Sequence, residues 1–444
     1  MGYSYSMTSL AKLVYQFLLE VLRFASVFVR VKPKRSRKFL RGLYGRRLSC
    51  RKLLKWAENV RGHNVLTFWI HASSVGELIQ AKSVAQGLRK RLGNIHIVFT
   101  FFSASAEKMA ANFPSEVSGY LPWDQSRKMA VLLDALSPSA LLFTQREVWP
   151  NLNDQAIIRG IPTVMIAGTL SEDSKKLKWP WRLFSNIMFR QICSIGAISE
   201  NDGKRFEELG VDKDRIQLTG DPAVDVAYDG ANSLTSEQCN LDCIKNWGGS
   251  LIVAGSTYGA DEEMLLHALT DIKKVRPETR MVIVPHEVFP TNIRKSIRRC
   301  ADRGFEVVKF SGLSNDPETL GDVLVVDVMG VLPDLYKLSR IAYVGGGFGD
   351  KGLHSVLEPA AAGVPVLFGP KYKNSEAASS LLEGGAGRVV SDSVIMVHVI
   401  EDYFLDEARL LKAGRNALGY VERNRGATDK TVDLICNVLR TFNR

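Results

Sequence analysis

From residue 65 onward, short apolar runs rich in β-branched residues alternate with longer stretches whose apolar positions recur at helical spacing. That alternation predicts parallel βαβ units. Runs at 65–71, 95–100, 140–143, 163–167, 194–198 and 216–218 form a first series of strands, and runs at 251–254, 281–284, 323–326, 341–344 and 364–368 a second. Between the series, 220–249 is rich in Gly, Asp, Asn and Ser, has no long apolar period and reads as a linker. The expected fold class is α/β, with two Rossmann-like doubly wound domains facing a cleft. They span 61–222 and 250–444, with the linker at 223–249 and a terminal helical stretch from Val394 that packs back. Such domains bind ligands beyond the carboxyl ends of their strands, so motifs at strand ends are where chemistry is expected.

Ahead of this pattern, Leu10, Leu13, Val14, Phe17, Leu18, Val21, Leu22, Ala25, Phe28 and Val29 share one face of a helix over 8–31, interrupted by Lys12, Glu20 and Arg23. Neither a secretory h-region nor a spanning run of roughly 18 apolar residues is present. Charge then changes the picture. The 444-residue chain carries 58 basic and 47 acidic residues, a net +11. Twelve basic and no acidic residues lie between Arg30 and Lys55, so the remainder nets 11 − 12 = −1. An apolar stripe followed by Arg30, Lys32, Lys34, Arg35, Arg37, Lys38 and Arg41 suits an anionic membrane surface, the alternative being a helix packed on its own core. Residues 1–60 are accordingly assigned to a membrane-associated amphipathic segment. A nucleic-acid partner is not expected, because the basic run lacks zinc-finger spacing, an RNP motif and a helix-turn-helix. Six cysteines without a CxxC pair or Cys/His clusters point to a reducing compartment and to no metal.

Four strand ends carry candidate chemistry. The first strand runs into His71-Ala72-Ser73-Ser74-Val75-Gly76-Glu77, a small-residue turn opening a helix, where Glu77 is either a catalytic carboxylate or a favourable partner of the helix dipole. The second series opens with Ala254-Gly255-Ser256-Thr257, whose hydroxyls and amides either hold a phosphate or cap the helix. Gly345-Gly346-Gly347-Phe348-Gly349 follows a strand, with His354 and Glu358 close behind. Such a loop admits a nucleotide to the backbone, and a carboxylate a few residues on can accept both ribose hydroxyls. The spacing is neither GxGxxG nor GxxxxGK[ST], which weakens NAD-type and P-loop readings. Glu147 of Glu147-Val148-Trp149-Pro150-Asn151 reads equally as a substrate-orienting acid or as a structural acid bonded to loop amides.

These motifs in this order resemble the Kdo transferases of lipopolysaccharide assembly, GT-B glycosyltransferases that move 3-deoxy-D-manno-octulosonate from its CMP-activated form to a lipid A precursor. The resemblance rests on HASSVGE (71–77), LPWD (121–124), EVWPN (147–151), GDPAVD (220–225), AGST (254–257) with Glu262 and Glu263, and GGGFGDKGLHSVLEPAAAGVPVLFGP (345–370). It implies an inverting enzyme without a cofactor, in which Glu77 is the general base and Ser74, Gly76 and Glu147 orient the substrate. Ser256, Thr257, Gly345, Gly346, Gly347 and His354 would bind the donor, and Glu358 its ribose. The implied partners are CMP-Kdo, a lipid A precursor and an anionic membrane surface, at the cytoplasmic face of the inner membrane. Three positions depart from the family pattern: Ala167-Gly168-Thr169-Leu170-Ser171 replaces an NARLS-type segment, Pro285-His286-Glu287 replaces Pro-Arg-His, and Ala223 replaces a linker basic residue. Arg146, Lys371 and Lys373 are the candidate substitutes. The rival readings are a GT-B enzyme for another nucleotide sugar and a membrane-bound GT-B protein without turnover.

Overall fold

The computed structural model describes residues 15, 38–60, 62, 65–233, 240–247, 249–313, 321–350 and 352–442. Apart from Tyr15, the helix expected over 8–31 lies outside these residues, as does most of the basic run. The chain divides into two units, Met1–Val226 with Gly426–Arg444, and Ala227–Arg425.

In the first unit, β1 (Leu66–Ala72), β2 (Ile95–Phe101), β3 (Val117–Tyr120), β4 (Ala140–Thr144), β5 (Thr163–Gly168), β6 (Ser194–Ala197) and β7 (Ile216–Leu218) form one parallel sheet in the order β3-β2-β1-β4-β5-β6-β7. Strands covered on both faces must be apolar almost throughout. β4 is wholly buried and β1 exposes only Leu66. Alternate side chains serve opposite layers. Trp69, Leu141 and Phe143 pack with Leu133 and Leu152 on one face, while Phe68, Ile70 and Leu142 pack with Leu78 and Leu88 on the other. Because β1 pairs with both β2 and β4, the winding reverses between β1 and β4.

The second unit repeats the plan with β8 (Leu251–Thr257), β9 (Arg280–Pro285), β10 (Val307–Lys309), β11 (Val323–Val325), β12 (Ile341–Val344), β13 (Val366–Phe368) and β14 (Gly387–Val389), in the parallel order β10-β11-β9-β8-β12-β13-β14. Here the winding reverses between β8 and β12.

Three expectations about domain limits are corrected. Residues 426–444 belong to the first unit, because the helix Ala427–Phe442 buries Val432, Leu434, Ile435 and Leu439 against Phe68, Ile70 and Leu78. Most of the expected linker is ordered and core-forming: Pro222–Asn232 is helical, and Leu241, Ile244 and Trp247 join the second core beside Leu251 and Val253. The basic helix Lys38–Asn59 packs on the first unit through Leu53 and Ala57, so that unit begins before residue 61. Strands β3, β10 and β14 were not expected. All three lie at sheet edges, where a short, partly polar segment suffices.

Candidate active site

The sequence motifs flank both winding reversals. HASSVGE leaves β1 and EVWPN follows β4 in the first unit, while AGST ends β8 and the glycine loop leaves β12 in the second. Among the described residues, three of the four non-glycine residues with positive φ stand there or at a neighbouring strand end: Gln145 (61°), Ala167 (50°) and Ser256 (54°). Each costs about 1–3 kcal/mol, tolerated where the surrounding structure over-determines the backbone.

The helix Val75–Leu92 begins in a reciprocal cap. Ser74 accepts from Glu77 N at its N-terminus, and Ser74 Oγ donates to Glu77 Oε1 at 3.0 Å. Ser73 N donates to Glu77 Oε2 at 2.7 Å, so both carboxylate oxygens are held. Glu77 is buried, and burial pushes its pKa up to about 7 despite the bonds from Ser73 and Ser74, with repulsion from Glu147 adding to the rise. A carboxyl poised near neutrality is suited to proton transfer. A Cβ at Gly76 would meet no atom within 4 Å, which leaves the turn open beside the carboxylate.

His71, the first residue of that motif, has a fixed role. Trp149 Nε1 can only donate, and it reaches His71 Nε2 at 2.8 Å, so the imidazole proton lies on Nδ1 and faces Thr100 Oγ1 at 3.0 Å. Ser73 Oγ shares the Nε2 acceptor at 3.2 Å. The ring is fully buried, which pushes its pKa down to about 3 and keeps it neutral. It is therefore an anchor joining Trp149 to the Ser73 turn that holds Glu77.

Trp149 stands at the N-terminus of the helix Pro150–Ile158 without a side-chain cap of its own. Asp124 of LPWD supplies the cap from another segment, accepting from Asn151 N at 2.9 Å and Leu152 N at 2.8 Å. Tyr15 OH donates to the same carboxylate at 2.8 Å. LPWD and EVWPN are thus two halves of one structural device. Asp124→Ala strands two buried amides and is expected to cost about 3 kcal/mol, seen as a lowered denaturant midpoint for the first unit. GDPAVD is likewise largely structural: Asp221 accepts from Gln80 Nε2 and Ala223 N, both at 2.8 Å, and Asp225 accepts from Gly426 N and Thr428 N, both at 2.7 Å, capping the returning helix.

Glu147 is half-buried rather than buried. Its charge acts on Glu77 and on Lys176, a cation absent from the expected set. Lys176 Nζ donates to Arg146 O at 3.0 Å; burial lowers its pKa, and Glu147 and Glu77 oppose that. Arg146 itself is exposed. Lys176 lies five residues beyond the altered 167–171 segment, and only its place in a basic run marked it in the sequence.

In the second unit, the glycines are set by close approach. A Cβ at Gly345 would collide with Ser256 O, and one at Gly347 would lie 2.7 Å from Gly369 Cα. Gly346 has φ of 97°, and its N–H donates to Asp261 Oδ2 at 3.1 Å. Asp261 also accepts from Tyr343 OH and Tyr258 N, both at 2.8 Å, which ties the loop to the start of the helix Gly259–Val275. Thr257 departs from its expected role. Its buried hydroxyl donates to Glu262 Oε1 at 3.2 Å, and Glu262 is further held by Ser296 and Arg299. His354 faces Tyr258 OH through Nε2 at 3.1 Å and stacks on His286, ring centroids 4.2 Å apart. The Pro-His-Glu departure therefore places an imidazole, not a guanidinium, beside His354. A pocket of about 270 Å³ adjoins this stack, lined in part by Tyr258, His286, Lys295 and Arg299. Glu358, in the first turn of the helix Leu357–Ala361, is half-buried with its pKa raised by burial. None of the described residues donates a hydrogen bond to its carboxylate. Lys371 Nζ pairs with the exposed Asp350 at 2.8 Å.

A family model described as 3-deoxy-D-manno-octulosonic-acid transferase (kdotransferase) matches residues 43–226. The chain is 27% identical over 372 residues to the 3-deoxy-D-manno-octulosonic acid transferase of Haemophilus influenzae, covering 83% of this chain and 86% of that one. With the enzyme of the same description from Chlamydophila psittaci the figures are 29% over 407 residues, 89% and 90%. Among solved structures, UDP-GlcNAc 2-epimerase from Neisseria meningitidis aligns with a TM-score of 0.61 at 14% identity, covering 84% of this chain and all of that one. A glycosyltransferase from Rickettsia africae gives 0.58 at 12%, covering 86% and 100%. At such identities the structural likenesses show the fold, two parallel-sheet α/β domains. The matched family model and these relatives in sequence are 3-deoxy-D-manno-octulosonic acid transferases, and the first-unit motifs fall within the matched segment 43–226: over most of its length this chain is similar to that family.

Proposed function

We propose that this protein transfers Kdo from CMP-Kdo to a lipid A precursor with inversion, using Glu77 as general base. The observation that carries the reading is Glu77 itself: a buried carboxyl at the β1 end of the first winding reversal, gripped at both oxygens and brought to about 7. It takes the proton of the acceptor hydroxyl as that oxygen attacks the anomeric carbon, while CMP leaves. Ser74 holds the base, the open face at Gly76 admits the acceptor, and Glu147 with Lys176 sets the local charge. In the second unit the amide of Gly347, with Ser256, receives the CMP phosphate on the loop that Gly345 and Gly346 shape through their own bonds to Gly255 O and Asp261, and Glu358 accepts from the ribose hydroxyls. His354, in its stack with His286, lies against the same loop. Thr257 acts through Glu262 and the shape of the turn. The N-terminal segment holds the protein on the cytoplasmic face of the inner membrane.

Donor chemistry is tested by calorimetry with CMP, UMP and UDP. Measurable binding of CMP alone is expected, and tighter binding of UDP would transfer the reading to another nucleotide sugar. The rate of transfer is expected to rise with pH through about 7 and then level, because only the carboxylate accepts a proton. Stability runs the other way. A folded pKa above the ordinary 4.5 gives a contribution fully present below about 4.5 and lost as pH rises through about 7.

A further inference from the structure

Of the seven tryptophans, Trp56, Trp69, Trp123, Trp149 and Trp247 are buried or half-buried, whereas Trp179 is 81% and Trp181 59% exposed. Both stand in the first unit, at the start of the helix Trp181–Phe189. Leu183 of the same helix is 41% exposed. The segment is well supported from beneath. Leu177 and Phe184 pack on the core, Met188 and Phe189 belong to it, and Arg182 N bonds Lys178 O at 2.8 Å across the Trp-Pro-Trp turn. Exposure of the two indoles is thus a property of an anchored surface.

The charges around them are mostly positive. Lys175, Lys178 and Arg182 are exposed in the same stretch, against Glu172 and Asp173; Asp173 lies 3.8 Å from Lys178 Nζ, and Arg182 donates to Glu208 O. Indole rings have an apolar body with one polar N–H and partition to the headgroup level of bilayers, where flanking lysines and arginines meet anionic lipid. Tyr15, from the segment whose pattern predicts an interfacial helix, packs its ring on Phe184 of the same helix at 6.0 Å between centroids. We infer that Trp179 and Trp181, with Lys175, Lys178 and Arg182, form a second membrane-contacting surface that seats the first unit on an anionic bilayer, independently of the N-terminal basic run.

The test uses the full chain and vesicles of phosphatidylethanolamine with about a third phosphatidylglycerol, read by co-sedimentation. Trp179→Ser/Trp181→Ser is expected to keep its thermal unfolding midpoint and to partition at least tenfold more weakly. Trp179→Phe/Trp181→Phe keeps two apolar rings and is expected to bind within a few fold, while losing the fluorescence quenching that brominated lipids produce in the parent protein. A third variant neutralises Lys34, Arg35, Arg37 and Lys38. If it alone loses binding and the tryptophan variants match the parent, the inference is overturned and the N-terminal attachment stands. If the serine variant loses binding and the charge variant does not, the inference holds and that attachment fails. Serine substitution that abolishes self-association without weakening vesicle binding would make the patch a protein interface and overturn the inference as well.

Discussion

Glu77→Gln is expected to leave the protein folded and able to bind CMP while lowering transfer by about 100-fold or more, the ordinary consequence of losing a general base. Gln fills the same volume, and its carbonyl oxygen still accepts from Ser73 N, so the turn built on that bond keeps its shape. What disappears is the site for the proton. The acid limb of the pH–rate profile near 7 is expected to vanish with it, since that limb belongs to Glu77. The two readouts separate chemistry from structure. A variant slow at every pH but with the limb intact would assign the titration to another group. Substituting His71 gives a graded version of the same test. His71→Leu frees the Ser73 turn from Trp149, and because the Ser73 bond holds the Glu77 pKa down, the limb is expected to move to higher pH.

Glu358→Ala is expected to weaken CMP binding about 10- to 100-fold, as for the loss of hydrogen bonds to a charged acceptor. The protein supplies this carboxylate with no described donor and has paid part of its desolvation already, so a ribose diol gains a ready acceptor. Removing the carboxylate relieves that burial, and stability at neutral pH is expected to be unchanged or slightly higher. A structural acid would behave oppositely, lowering stability on removal. Calorimetry and thermal unfolding on one preparation of the variant therefore decide the role, and acceptor-lipid binding is expected to stay at the parent level.

Central strands were legible because burial on both faces demands an uninterrupted apolar run. Ile341–Val344 falls where the pattern places it, and β1 and β4 within one residue at either end; Ile216–Leu218, an edge strand, does so too. The other edge strands were not, since Val-Ser-Gly-Tyr, Val-Val-Lys and Gly-Arg-Val carry no such pattern. Domain limits failed for a non-local reason. Asp225 caps a helix that begins two hundred residues later, and a single sequence gives no signal of that pairing. Of the candidate site, the carboxylates and glycines stand out in the sequence because their residue types are marked at a strand end. The supports do not: His71 as a neutral anchor, Asp124 as a cap in trans and Lys176 beside Glu147 each act on residues distant in the chain. Thr257 shows the converse, a hydroxyl at a motif position turned inward to Glu262.

The most direct test of Kdo transfer by Glu77 is the mass of the lipid formed when purified protein is incubated with a lipid A precursor and CMP-Kdo generated in situ. The parent protein is predicted to yield precursor heavier by one or more Kdo residues, with CMP released in step, and Glu77→Gln almost none over the same time. Unchanged lipid with the parent protein, or equal product from Glu77→Gln, would contradict the account.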